Sequence, residues 1–158
     1  MRVLILHTLP PEDPGPGRWR EEFDLETSAQ GIAQVLPDAA VAGIRGEPGE
    51  MLDAIRARSP DVVVNLCEAP LGQPRLEPHA AALLEWLGIP FTGSGSEALA
   101  LCRRKDLTRA VLASAGVPVA RLGVFPCVVK PAGEDGSAYI HSDSVCANEA
   151  EALRAAAR

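Results

Sequence analysis

Residues 61–68, DVVVNLCE, set three valines in a row ahead of Asn65, Leu66, Cys67 and a carboxylate, Glu68. A short, almost unbroken apolar run that closes on polar groups reads as a strand of a parallel sheet, central and buried on both sides. Helical patterns flank it. Pro48–Arg58 precedes it, and Pro78–Leu87 follows, stopping at Gly88 before a short strand that begins at Phe91–Thr92. Upstream, RVLILH (2–7) is another strand, and PPEDPGPG (10–17) is a loop because its prolines donate no hydrogen bonds. A helix is expected over Glu21–Leu36 and a strand over Ala39–Ile44. Strands alternating with helices predict an α/β fold, a Rossmann-like parallel sheet covered on both faces, spanning residues 1–93.

Residues 94–158 are expected to add linker helices and a second, smaller lobe. A helix over Arg104–Ala115 ends at Gly116, with Pro118 just beyond. The segments 119–125, 127–131 and 137–146 read as successive strands joined by tight turns, before a final helix from Asn148 through the Ala-rich end. Three strands and one helix make a thin core. They would expose an apolar face unless something covered it, so a homodimer or a partner chain is expected.

With 158 residues and 47% hydrophobic content, the chain has the bulk of a soluble globular protein. Its net charge of −6 argues against nonspecific nucleic-acid binding. Arg103, Arg104, Lys105 and Arg109 form the one basic concentration, and a solvated helix face accounts for it. The opening run MRVLILHTLP is interrupted by proline too early for a signal peptide or a membrane span, so a cytoplasmic location and no membrane contact are expected. The four cysteines show neither C-x-x-C nor metal-ligand spacing and read as buried thiols of a reducing compartment, with the Cys67 thiolate disfavoured by Glu68. No G-x-G-x-x-G follows the first strand, which argues against NAD.

Lys130 follows three apolar strand residues and precedes Pro131, so its ammonium is carried on a stiff element. About 4 Å from a phosphate oxygen, such a charge gains roughly 4 kcal/mol at an effective dielectric of 20, before desolvation. A strand-edge lysine that blocks edge pairing has the same sequence. The turn GEDGSA (133–138) has two glycines that let the backbone approach a phosphate and a hydroxyl on Ser137, although a plain hairpin would use the same residue types. GSGS (93–96) precedes a helical pattern and can cap it or receive an anion.

Taken together, NLCE (65–68), LEPHAAALLEWLGIPFTGSGSEALALCRRKDLTRAVLASAGVPV (76–119) and FPCVVKPAGEDGSAYI (125–140) resemble the D-alanine–D-alanine ligase-like branch of the ATP-grasp carboxylate–amine ligases, in the family's order. The resemblance implies a Rossmann-like pre-ATP-grasp domain followed by an incomplete ATP-grasp N-terminal lobe. It implies ATP and Mg²⁺ as cofactors and amide formation through an acyl phosphate. Lys105 and Lys130 would then meet the nucleotide phosphates, with Gly136 and Ser137 in the loop that closes over them. Tyr139 departs from the pattern, standing where the family usually has glycine. Glu22 resembles the glutamate that receives the ammonium of the first amino-acid substrate, although a first-turn helix carboxylate would be equally natural. Glu68 and His79 would lie on the substrate side, facing an amino acid or peptide, with a structural histidine as the plainer reading of His79. The family's Mg²⁺-binding Asp, Glu and Asn lie downstream of the segment matching Ala147–Arg158, so no metal ligand is expected in this chain and little ligase activity from it alone. The alternatives are a non-catalytic binding or scaffold protein built on the first domain, and an enzyme completed by a partner chain.

Overall fold

The protein is represented by a computed structural model that describes residues 1–11, 25–134 and 139–157. Its chain divides into two compact units, Met1–Ala100 and Leu101–Arg158.

The first unit follows the alternating pattern: β1 (Val3–Thr8), α1 (Glu26–Val35), β2 (Ala40–Ile44), α2 (Pro48–Arg58), β3 (Val62–Leu66) and α3 (Glu77–Trp86). The three strands form a parallel sheet in the order β2-β1-β3, with Leu6 opposite Ala42 and Asn65. Phe91 adds a single parallel bridge to Val63 on the far side of β3. The α/β class and the parallel sheet are therefore as the sequence predicts. The 61–67 run is a correction: within β3 only Val63 is fully buried, whereas five of the six residues of β1 are. β1 holds the middle position, and strands 2 and 3 shield both of its edges.

Strand geometry sends alternate residues to opposite faces. Leu4 and Leu6 point into a core with Met51 and Ile55 of α2 and with Ala80 and Leu84 of α3. Ile5 points the other way, on the sheet whose β1 and β2 are covered by α1, where Ala29 is buried. Each such aliphatic side chain contributes about 1.5–3 kcal/mol by leaving water. The boundaries of α2 follow from its ends. Pro48 occupies the first turn, Arg56 and Arg58 the last, and Ser59 closes the helix in a left-handed conformation, its N–H donating to the Ile55 carbonyl at 2.7 Å. The start of the sheet is tied by Arg2, whose backbone N–H and guanidinium donate to the Asp61 carboxylate at 2.6 and 2.8 Å.

α4 (Ser96–Arg103) leads from the first unit, and α5 (Lys105–Ser114), β4 (Cys127–Val128), β5 (Val145–Cys146) and α6 (Glu149–Ala156) follow. Here the expectation of three strands fails in part. Residues 119–125 form no strand, and among the described residues the other two segments contribute only two each, paired antiparallel with Cys127 opposite Cys146. The physical cause is a shortage of neighbours to pack against, since strand preference depends on a half-buried surface. Leu122 and Val124 are exposed, and among the described residues of this unit only Ser144 and Cys146 are buried. The last helix starts as expected, with the Asn148 side chain accepting the Glu151 N–H at 3.1 Å. Of the cysteines, Cys67 and Cys146 are buried, but Cys102 is exposed and Cys127 half-buried, which corrects the uniform expectation. Among the described residues no helix is long and apolar enough to cross a membrane.

Candidate functional site

In the second unit, β4 delivers Lys130. The Val129 N–H donates to the Ser144 carbonyl at 2.9 Å, which fixes the backbone just before the lysine. Lys130 then stands on the wall of a cavity of about 440 Å³, together with Tyr139, His141, Ser144 and the small apolar side chains of Pro131 and Ala155. The next residues are held by the helices. The Lys105 N–H, at the start of α5, donates to the Ala132 carbonyl at 3.0 Å, and its ammonium donates to the Glu134 carbonyl. The Arg103 guanidinium donates to the Gly133 carbonyl at 2.5 Å.

The two lysines are thus joined through one segment, residues 130–134, but Lys105 does not line the Lys130 cavity. The basic cluster also differs from a merely solvated face. Arg109 donates through Nε and a terminal nitrogen to the Ala120 carbonyl at 3.1 and 2.9 Å, and Arg104 pairs with Asp106 at 2.9 Å. The cluster organises loop carbonyls as well as facing water. Gly136 and Ser137 lie outside the described residues.

In the first unit, Glu68 is exposed just beyond the carboxyl end of β3, where open α/β sheets bind their ligands. His79, in the first half of α3, lines a different feature: an apolar cavity of about 370 Å³ with Met51, Leu76, Leu83 and Trp86. Glu68 is not among its lining residues, so the structure does not gather these two around one cavity. Glu22 lies outside the described residues. Burial pushes the Cys67 thiol up to about 12, so desolvation, and not the neighbouring Glu68, is what disfavours its thiolate. At GSGS an anion is indeed received, and it belongs to the chain itself. Glu85 accepts from the Ser96 N–H at 2.9 Å and from the Ser96 hydroxyl at 2.5 Å at the start of α4, which holds its carboxyl below the usual range.

Three residues near these sites escaped the sequence reading as site members. Tyr139 stood out only as a departure from glycine, and His141 and Ser144 drew no attention. Strand alternation could not have grouped them, because Tyr139 has φ +61° and lies outside β5. His7 is also buried, at the carboxyl end of β1, with Nδ1 3.3 Å from the Thr8 carbonyl oxygen.

The protein is 37% identical over 125 residues to the D-alanine–D-alanine ligase of Gluconobacter oxydans, covering 71% of this chain and 40% of that protein. Against the enzyme of Ruegeria pomeroyi it is 33% identical over 139 residues, 74% of this chain and 44% of the relative. The chain is a relative of the D-alanine–D-alanine ligases. It spans less than half the length of these ligases. No family model matches it. The fold agrees: a crystal structure of the Bacillus anthracis D-alanine–D-alanine ligase complexed with ATP superposes with a TM-score of 0.61 at 17% identity, covering 98% of this chain and 53% of the ligase. A second crystal structure of that ligase gives 0.62 at 15% identity, with 98% and 52% covered.

Proposed function

We propose that this chain supplies the ATP-phosphate-binding part of an ATP-dependent carboxylate–amine ligase, with Lys130 as the direct phosphate contact. The observation that carries this reading is the place of Lys130: an exposed ammonium two residues beyond β4, on the wall of a cavity that also offers hydroxyl and imidazole groups. A cation in that position neutralises a phosphate, and phosphoryl transfer depends on positioning and charge neutralisation more than on covalent chemistry by the protein. Lys105 acts beside it. Its hydrogen bonds to the Ala132 and Glu134 carbonyls hold the described segment just ahead of Gly136 and Ser137, which the sequence resemblance assigns to the phosphates. Glu22, Glu68 and His79 are assigned to the amino-acid side, on the strength of the sequence resemblance and, for Glu68, of its position beyond β3.

The donor set at the Lys130 cavity suits a nucleotide. ATP would supply the activated phosphoryl group, while the chain's own part is to hold and orient it. Among the described residues no group of three or more His, Cys, Asp or Glu is placed to hold a metal ion, and no residue is assigned to Mg²⁺.

Calorimetric titration with ATP tests the reading. Replacing Lys130→Gln is expected to weaken ATP binding at least about tenfold, the loss of one charge-assisted contact, with the circular dichroism spectrum unchanged. Equal ATP affinity in the wild-type chain and in K130Q would end the proposal. A chain with no ATP affinity at all would instead favour a scaffold role, the second reading, which the exposed Trp86 and Leu71 beside the apolar cavity support.

A further inference from the structure

Tyr139 is a bulky residue in a backbone conformation that glycine adopts freely. Its φ is +61°, in the left-handed region where a Cβ crowds the neighbouring carbonyl. Glycine at this position would avoid that cost. Core packing gives no reason to keep the ring, because Tyr139 is 46% exposed. What the ring does instead is form part of the cavity wall beside Lys130. A strained residue kept at a cavity wall points to a ligand contact.

The chemistry of the cavity narrows the ligand. Lys130 offers one concentrated positive charge, while Val129, Pro131, Ala155 and Ala156 present apolar surface and Tyr139 an aromatic face. An anion alone would use the lysine and leave the apolar walls and the ring without partners. A flat heterocycle joined to a phosphate chain would use all of them, because every nucleobase has a face that stacks on an aromatic ring.

We infer that Tyr139 is a ligand-contacting, specificity-determining residue whose ring stacks on the base of the nucleotide held at Lys130, so that the chain prefers a nucleotide to a bare polyphosphate. The inference rests on the proposal that Lys130 meets ATP phosphates. The experiment separates the two. ATP and inorganic triphosphate are each titrated into the wild-type chain and into K130Q, Tyr139→Phe, Tyr139→Gly and Tyr139→Asn, with thermal melts alongside. Asn tolerates the left-handed backbone without supplying a ring, and so serves if the glycine variant folds poorly.

Loss of stacking is expected to weaken ATP binding about 5- to 150-fold in Y139G and Y139N. Triphosphate binding should stay within about twofold, and Y139F should keep the wild-type affinity for ATP. A tyrosine that merely replaces glycine behaves in the opposite sense: removing the strain leaves the melt unchanged or raised and ATP binding as tight or tighter. That outcome overturns the inference and leaves the Lys130 reading standing. ATP binding that ignores K130Q overturns the Lys130 reading, and the inference with it.

Discussion

Asp61 shows how one exposed residue can couple the sheet to pH. Two donors from Arg2, the guanidinium first and the backbone N–H second, hold its carboxyl at about 2, below its ordinary value of 3.8. The sign follows from linkage. A carboxyl whose folded pKa is depressed stabilises the fold fully above its unfolded pKa, and that contribution fades as pH falls from about 4 towards 2. Asp61→Asn should therefore lower the urea midpoint at pH 6, with the gap to the wild type closing as pH drops through this window. A gap that persists unchanged at pH 2 would mean that the pairing with Arg2 has no part in the pH dependence. Because both partners are well exposed, salt should narrow the gap as well.

At the scale of the element, the sequence discloses what is local and conceals what depends on neighbours. The helix over Pro48–Arg58 was legible to the residue because its signals are carried within it: a proline in the first turn and arginines in the last. α3 was legible to within a residue at each end from its position between Leu76 and Gly88. The segment 119–125 was not, since its apolar residues look like a strand whether or not a partner strand lies beside them. The site divides in the same way. The apolar run before Lys130 predicts a strand over 127–131, of which only Cys127–Val128 forms, and the grouping of Lys130 with His141 and Ser144 required the pairing of β4 with β5. The β2–α2 connection offers a test of such a neighbour-dependent feature. Gly46 has φ +106°, and a Cβ built there would lie 2.5 Å from the Pro70 Cα and 2.6 Å from the Leu71 nitrogen. The Leu71 N–H donates to the Arg45 carbonyl at 2.7 Å, so the two loops are locked backbone to backbone. Gly46→Ala cannot be relieved by turning a side chain, and about 2–3 kcal/mol of stability should be lost, read as a drop in the urea midpoint with the slope preserved. Gly49→Ala, on α2 with nothing within 4 Å of its added Cβ, is the control and should be neutral or slightly stabilising. Equal midpoints for the two variants would show that the 70–72 turn does not press on Gly46.

Across the whole molecule, the buried apolar side chains are distributed unequally. Leu4, Ile5, Leu6, Val63 and Leu84 are all fully buried in the first unit, while Cys146 is the one buried hydrophobic residue among those described in the second. Apolar burial is the dominant favourable term in folding, so the second unit should open at a lower free energy than the first. Two amides make the comparison clean, because each donates to a carbonyl at the same distance. The Val63 N–H donates to the Pro90 carbonyl at 2.9 Å inside the first core, and the Val129 N–H donates to the Ser144 carbonyl at 2.9 Å under a thin one. Hydrogen-bond geometry does not separate them, and only the surrounding core does. In native-state hydrogen exchange Val63 should exchange at least about 100-fold more slowly than Val129. ATP should slow Val129 preferentially, since a ligand bound at Lys130 stabilises the structure that closes over that amide. Equal protection at the two amides would show that cooperativity extends beyond each core. Unchanged exchange at Val129 in saturating ATP would place the nucleotide away from Lys130.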